Sequence, residues 1–334
     1  MSINSAHLVV ERTIGEQPII IETGKLALQA HGSVVVKKGD TVVLATAVMA
    51  DKARADIDFL PLTVEFEERL YSAGKIPGSF FRREGRPAAE AILSCRLTDR
   101  SIRPLFPKGM HNEVQIILTV LSADPEHPPE ILGMIGASAA LSISKIPFEG
   151  PVGSCRVAYL DGGYIVHPTY EQINESQLNM VISSNEEAII MVEAGSNEVS
   201  EEVILEGIKQ ARLANLETIA LIKEIQSVAG QPKLVINADP DEMTELESQI
   251  KSLVLDNMQD VLNLNSFKAE RDEGLDRLEE ETLEKLSDDY SEQKISEGFK
   301  NVLKSEVRSR ILNLGIRPDG RSKEEIRPIS CEVG

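Results

Sequence analysis

Gly78–Pro107 reads GSFFRREGRPAAEAILSCRLTDRSIRPLFP, and the organisation of the chain turns on it. Its first half is a loop that sets two aromatics beside three arginines: Phe80, Phe81, Arg82, Arg83 and Arg86. Its second half predicts a helix. Pro87 suits the first turn, where its missing N–H has no intrahelical partner. Arg96, Arg100 and Arg103 recur at i, i+4 and i+7 and so project from one helical face. Pro104 then closes the helix, because a proline cannot continue the hydrogen-bond ladder and disfavours helical geometry just before it. From Arg69 to Lys108 there are nine Lys/Arg against three Asp/Glu, in a chain whose net charge is −19. Positive charge concentrated on an acidic protein calls for a partner that carries phosphates. From the residues alone, Phe80 and Phe81 serve equally as core residues. Arg96 and Arg100 could pair with Glu90 or Asp99, and Arg103 could cap the helix C-terminus.

Outward from this stretch, both flanks read as strands and helices in alternation. Upstream, LVVERT and PIIIET form two strands around a turn at Gly15. Ser33–Lys37 and Thr41–Ala50 form a hairpin whose KKGD turn uses Gly39 for a positive φ. Ile57–Glu67 is a further strand, bent near Pro61. Downstream, Val114–Ser122 is nearly all apolar and is expected to be buried on both faces. Glu130–Ile143 is a helix of small residues suited to close packing on a sheet. Val152–Leu160 and Tyr164–His167 flank a tight turn at Asp161-Gly162-Gly163, and Gln177–Ser183 and Ala188–Glu193 continue the sheet. Ser200 caps a long helix from Glu201 to about Val228. Strands in hairpins with interspersed helices exclude a regular βαβ pattern and give the α+β class, with a mixed-sheet core over residues 1–230.

Gln231–Pro240 reads as a linker with two prolines. Beyond it, residues 236–313 are expected to form a small all-α domain. Leu246, Ile250, Leu253, Asn257 and Val261 keep helical spacing, as do Leu275, Leu278, Thr282 and Leu286, and then Ile295, Phe299, Val302 and Val307. This block is acidic, with nineteen acids and seven bases from Asp239 to Lys300, and it reads as a solvated face. Residues 314–334 open a polar, turn-rich segment with LGIRPDGRSK, followed by what looks like the start of a strand, as though the chain stops just inside another domain. Cys95, Cys155 and Cys331 are odd in number and widely spaced, the N-terminus lacks a signal-peptide pattern, and no run of about 18 apolar residues suggests a membrane span. A reduced, cytoplasmic protein is the simplest expectation. His31, His111, His127 and His167 show no metal-ligand spacing, Asp124 and Glu126 are a weak carboxylate pair, and Walker A, Rossmann and zinc patterns are missing.

IETGKLALQAHGSVVVKKGDTVVLAT, GSFFRREGRP, RLTDRSIRPLFP, LSADPEHPPEILGMIGASAAL and MVEAGSNEVSEE together closely resemble the bacterial polynucleotide phosphorylase (polyribonucleotide nucleotidyltransferase) family, along essentially the whole chain. The resemblance implies a first ribonuclease-PH-like core, a helical domain and the opening RPDGR segment of a second core. It implies phosphorolysis: inorganic phosphate attacks the 3′-terminal phosphodiester of single-stranded RNA and releases a nucleoside diphosphate, with Mg²⁺. In such a family the phosphate-binding serines and metal-binding aspartates belong to the second core, so neither a catalytic residue nor a metal ligand is expected in this chain. A homotrimeric ring is implied, and other RNA-degradation proteins are possible partners. Phe80, Phe81, Arg82 and Arg83 match the constriction that grips RNA in the pore. Arg96, Arg100 and Arg103 match a basic helix beside the active-site cleft, and Arg317 and Arg321 match the RPDGR turn. Aromatic faces stack on any base and arginines neutralise phosphates, so such a grip is indifferent to sequence.

Three functions compete. The first is part of a phosphorolytic 3′→5′ exoribonuclease that degrades mRNA, with little catalysis expected from this chain alone. The alternative is a non-catalytic RNA-binding ring subunit of an exosome-like assembly. The third is a scaffold that acts on other proteins through the acidic helices.

Overall fold

The computed structural model describes residues 7–54, 57, 59–78, 83–236, 240–263 and 268–333. The chain forms two compact units, Met1–Ile236 and Asn237–Gly334.

In the first unit, alternating apolar and polar residues make β1 (Leu8–Ile14) and β2 (Gln17–Thr23), paired around Gly15. β3 (Gly32–Lys38) and β4 (Thr41–Ala53) pair around Gly39, whose φ is +57°. A Cβ there would lie 2.7 Å from His127 Nδ1, so both the turn and the neighbour demand glycine. β5 (Leu62–Glu68) and β6 (Asn112–Ser122) complete a sheet of order β1-β2-β3-β4-β6-β5, antiparallel except for the β5–β6 pair. The strand expected from Ile57 begins only after Pro61, whose carbonyl accepts from the Val114 N–H at 3.0 Å. β6 is not buried on both faces as expected. Val114, Ile116, Leu118 and Val120 are buried, while the residues between them are half-covered or exposed.

Between β5 and β6 stands α1 (Ala89–Ile102). Pro87 lies outside its first turn, since Ala88 is the N-cap, and the helix stops before a short 3-10 turn, Arg103–Leu105, that contains Pro104. α2 (Pro129–Ile143) follows, with every residue but Glu130 buried. Its glycines set how closely it approaches the sheet: a Cβ on Gly136 would lie 2.8 Å from Ala45 Cβ. β7 (Gly153–Leu160), β8 (Gly163–Val166), β9 (Leu178–Ser184) and β10 (Ile189–Ser196) make a second, separate sheet of order β10-β9-β7-β8, where the sequence pattern suggested that one sheet continued. α3 (Tyr170–Glu175) sits between β8 and β9 and starts with a Thr169–Gln172 capping box. α2 touches β3, β4 and β7, and so belongs to both sheets. α4 (Glu201–Ala229) covers β7, β9 and β1, with Ser200 at its N-cap position making no side-chain cap bond.

Residues 231–236, read as linker, are tied to this unit. Gln231 N–H donates to the Ile143 carbonyl and Leu234 N–H to that of Lys145. Lys233 Nζ donates to the Leu141 and Ser144 carbonyls at 2.6 and 2.8 Å, a cation at the negative end of α2. Burial lowers its pKa to about 8.

In the second unit, α5 (Pro240–Asn263), α6 (Lys268–Leu286) and α7 (Glu292–Ser309) share one core around Leu246, Ile250, Met258, Ile295 and Phe299. The buried face of α5 continues through Val254, Met258 and Leu262, and Asn257 is exposed rather than inward as its spacing suggested.

Candidate nucleic-acid interface

α1 owes its roll to hydroxyls. Ala91, Ser94, Thr98, Ser101 and Ile102 face inward. Ser94 and Thr98 return their protons to the carbonyls of Glu90 and Ser94, and Ser101 to that of Leu97 at 2.7 Å. Ser101 Oγ also lies 2.8 Å from Ser183 Oγ on β9, which lies 2.8 Å from Ser154 Oγ on β7. Buried polar groups stay buried only when paired, so this line of three serines fixes α1 against the second sheet.

The opposite side of α1 carries the arginines. Arg96, Arg100 and Arg103 line one cleft of about 550 Å³ together with Asp99 and Cys95. They are not equivalent. Arg103 forks onto Asp99 at 2.8 and 2.6 Å and donates to the Leu60 and Leu62 carbonyls at 3.0 and 3.2 Å. Its hydrogen bonds to Asp99 outweigh its partial burial and raise its pKa further. Arg100 pairs with Glu193 on β10, where both side chains are more than half exposed and the pair is worth little. Arg96 is exposed and has no hydrogen-bond or ion-pair partner among the described residues.

Arg83 and Arg86 are exposed in the loop before α1, while Phe80, Phe81 and Arg82 lie outside the described residues. Glu84 takes the Leu70 N–H at 3.2 Å and anchors that loop to the short turn Leu70–Ala73. Arg86, Arg69 and Lys75 border a second cleft of about 500 Å³ that also holds Glu67, Glu68 and Glu84. Burial, with Glu90 and Glu130 adding to it, raises the Glu68 pKa. Burial also pushes the Tyr170 phenol up to about 12.

A buried polar network stood beyond the reach of sequence inspection. Lys38 Nζ donates to the His167 carbonyl at 2.8 Å, 129 positions away. Burial drives the Lys38 pKa down to about 8 and that of the buried His167 ring to about 3. Asp124 accepts from the backbone of Asp40, Glu126 and His127 and pairs with His127 Nδ1 at 2.8 Å. Those hydrogen bonds overcome its desolvation and hold its pKa at about 2. These groups brace the β3–β4 turn against the start of α2. Among the described residues, no three His, Cys, Asp or Glu side chains gather closely enough to hold a metal ion.

In the second unit, Arg317 and Arg321 are occupied in shaping their own turn. Arg317 N–H donates to the Arg321 carbonyl at 2.8 Å, Arg321 Nε pairs with Asp319 at 2.9 Å, and the Arg317 guanidinium holds the Lys323 carbonyl. They stand apart from the arginines of α1 in the sequence, and both line a turn rather than a cleft.

Three stretches match known families. Residues 15–147 match the 3′ exoribonuclease family, domain 1, and residues 150–213 match its domain 2. Residues 245–322 match the polyribonucleotide nucleotidyltransferase RNA binding domain. The polyribonucleotide nucleotidyltransferases of Persephonella marina and Heliobacterium modesticaldum are 43% and 45% identical over 326 and 331 residues, covering 97% and 98% of this chain and 46% of each relative. The chain thus spans about half the length of the curated relatives it matches. Among solved structures, rice (Oryza sativa) Rrp46 is similar at a TM-score of 0.49 and 15% identity, over 69% of this chain and 98% of that one.

Proposed function

The chain belongs to the polyribonucleotide nucleotidyltransferase family, and from that membership we propose that it forms the RNA-holding part of a phosphorolytic 3′→5′ exoribonuclease. The observation that carries this role is the α1 cleft, where Arg96 and Arg100 present exposed cations on a chain of net charge −19. Arg103, held by Asp99 and two carbonyls, is the strut that keeps that face in place. Arg83 and Arg86 extend the positive surface toward the loop, and Phe80, Phe81 and Arg82 are proposed to complete the grip by stacking and phosphate contact. Arg317 and Arg321 remain candidates for RNA contact, each with part of its guanidinium already held by its own turn.

Inorganic phosphate and RNA are both anions, so the reaction needs cations that bring them together and stabilise the charge that builds up as the bond to the leaving 3′ oxygen breaks. The arginines supply the first need. The described acids do not form a site that fits Mg²⁺. Phosphate binding and bond cleavage are proposed to reside in the portion of the family's length that this chain does not span. A homotrimer, a cytoplasmic location and partners among RNA-degrading proteins are part of the same proposal. Among the described residues no helix is long and apolar enough to cross a membrane. An exosome-like ring subunit without activity is the weaker alternative, because polyribonucleotide nucleotidyltransferases match along nearly the whole chain.

The test is binding of oligo(A) by this chain, together with release of nucleoside diphosphate in the presence of phosphate and Mg²⁺. Retained binding without release is expected. Replacing Arg96 and Arg100 by Ala should weaken binding by about tenfold for each guanidinium removed. Clear release by the purified chain would overturn the division of labour, and unaltered affinity in the double variant would remove the α1 cleft from the RNA path.

A further inference from the structure

The helical unit poses an electrostatic problem. Residues 245–322 match a domain described as RNA-binding, yet Asp239–Lys300 carries nineteen acids and seven bases. The charges are not evenly mixed. From Asp241 to Asp289, across α5 and α6, sixteen Asp/Glu stand against five Lys/Arg. From Lys294 to Arg327, nine Lys/Arg stand against five Asp/Glu.

Within the basic part, the cations divide by what they already do. Arg317 and Lys323 donate to backbone carbonyls, and Arg321 and Arg327 hold Asp319. Lys300, Lys304 and Arg308 differ. All three are exposed and have no hydrogen-bond or ion-pair partner among the described residues. On α6, by contrast, Arg277 and Lys285 each hold a carboxylate four positions earlier. The acids that could neutralise the α7 cations are partly engaged elsewhere: Glu306 takes Gln259 Nε2 at 3.0 Å, and Glu247 takes Asn301 Nδ2 at 3.0 Å. Glu297, one turn before Lys300, is the exposed acid left beside them.

Lys300, Lys304 and Arg308 stand at i, i+4 and i+8, so they climb one face of α7 in steps of about 6 Å. Like charges at that spacing repel and weaken the helix. A polyanion laid along the face would relieve that repulsion, and a regular ladder of single charges suits a regular ladder of phosphates. We infer that Lys300, Lys304 and Arg308 form the nucleic-acid-binding face of the helical unit and take successive backbone phosphates of single-stranded RNA without reading its bases. α5 and α6, by their charge, leave α7 as the side of this unit on which RNA lies. The inference rests on the RNA-holding role proposed above and adds a second, separate contact to it.

The experiment is the salt dependence of oligo(A) binding by the full 334-residue chain. It compares the wild type, the Lys300→Gln/Lys304→Gln/Arg308→Gln variant and a charge-matched Lys251→Gln/Arg277→Gln/Lys285→Gln control. Glutamine keeps helix propensity close to that of lysine and arginine. Each single-strand phosphate contact adds about 0.7 to the slope of log K against log salt, so the α7 variant should lose about 2 of that slope and the control nothing. Lys304→Gln alone should lose about 0.7 and keeps the test alive should the triple variant unfold. Equal slopes in the α7 variant and the control would overturn the inference while leaving the α1 cleft intact. An unchanged slope with altered sedimentation would assign the face to contacts between copies of the chain. A wild-type chain that binds no RNA would sink both proposals.

Discussion

At the residue scale, the three arginines of one cleft, two on α1 and one in the turn that follows it, differ in their partners, and single substitutions should pull their contributions apart. Arg96 has no hydrogen-bond or ion-pair partner among the described residues, so Arg96→Ala should weaken RNA binding and leave the unfolding free energy from urea titration unchanged within about 0.5 kcal/mol. Arg103 braces Leu60 and Leu62 as well as Asp99, so Arg103→Ala should cost about 1–3 kcal/mol of stability by the same measurement. Equal stability losses in the two variants would contradict the distinction. His167 makes a pH prediction. Burial, with Lys38 adding to it, holds its folded pKa at about 3, below the ordinary 6.5, so below pH 6.5 the unfolded chain takes up a proton that the folded chain refuses. Stability should therefore fall with pH in this window, by about 2 kcal/mol at pH 5. His167→Asn, whose short side chain tolerates the local φ of +54°, should flatten that dependence in thermal melts at pH 7 and pH 5. Sequence alone exposed the arginine face because i, i+4, i+7 spacing is visible in one helix. It could not expose Lys38, because KKGD reads as a solvated turn and its partner carbonyl comes from a distant strand end.

At the element scale, local periodicity and long-range closure were unequally legible. Leu8–Thr23 and the Gly39 hairpin could be drawn from alternation and turn chemistry, and the small residues of α2 announced a close approach. The second sheet could not be drawn, since nothing in the alternation of Leu178–Ser184 says which strands it joins. The inward face of α5 was misjudged for a related reason: Leu246 and Ile250 begin a stripe that either Asn257 or Met258 could continue, and only the tertiary core of the helical unit, which takes in Val254, Met258 and Leu262, selects Met258. The close approach yields a prediction against propensity. Gly136→Ala should gain roughly 1 kcal/mol as a helix residue. Its Cβ would lie 2.8 Å from Ala45 Cβ and 3.3 Å from Val36 Cγ2, contacts that force helix and sheet apart. A net destabilisation of about 1–3 kcal/mol is expected from denaturant titration. A stabilised variant would mean that α2 meets β3 and β4 more loosely than these distances require.

At the scale of the whole molecule, the same salt should push two properties in opposite directions. The sixteen acids and five bases from Asp241 to Asp289 repel one another, so raising salt from about 20 to about 200 mM should increase the thermal midpoint of the helical unit followed by ellipticity. RNA binding, which depends on counterion release, should weaken over the same range. A midpoint that falls with salt would show that attractive pairs such as Lys285–Glu281 outweigh the repulsion. Family membership was legible from joint motifs spread along the chain. The segregation of charge between α6 and α7 was present in the sequence but was hidden by summing across Asp239–Lys300, a window that cuts the basic ladder after its first rung.

The serine line beneath α1 has a direction. A hydroxyl owns one proton, and that of Ser101 goes to the Leu97 carbonyl. Ser183 must then donate to Ser101, and Ser154 to Ser183. Every proton in the line points from the second sheet toward the helix, so the three positions are unequal although their contacts have the same length. Alanine at Ser154 deprives Ser183 of a donor, and a lone pair left idle is tolerable. Alanine at Ser101 removes the acceptor of the Ser183 proton, which must then turn back on Ser154 and reverse the line. The mutational tolerance of this seam should therefore be graded, highest on the side of the second sheet and lowest next to the arginine face.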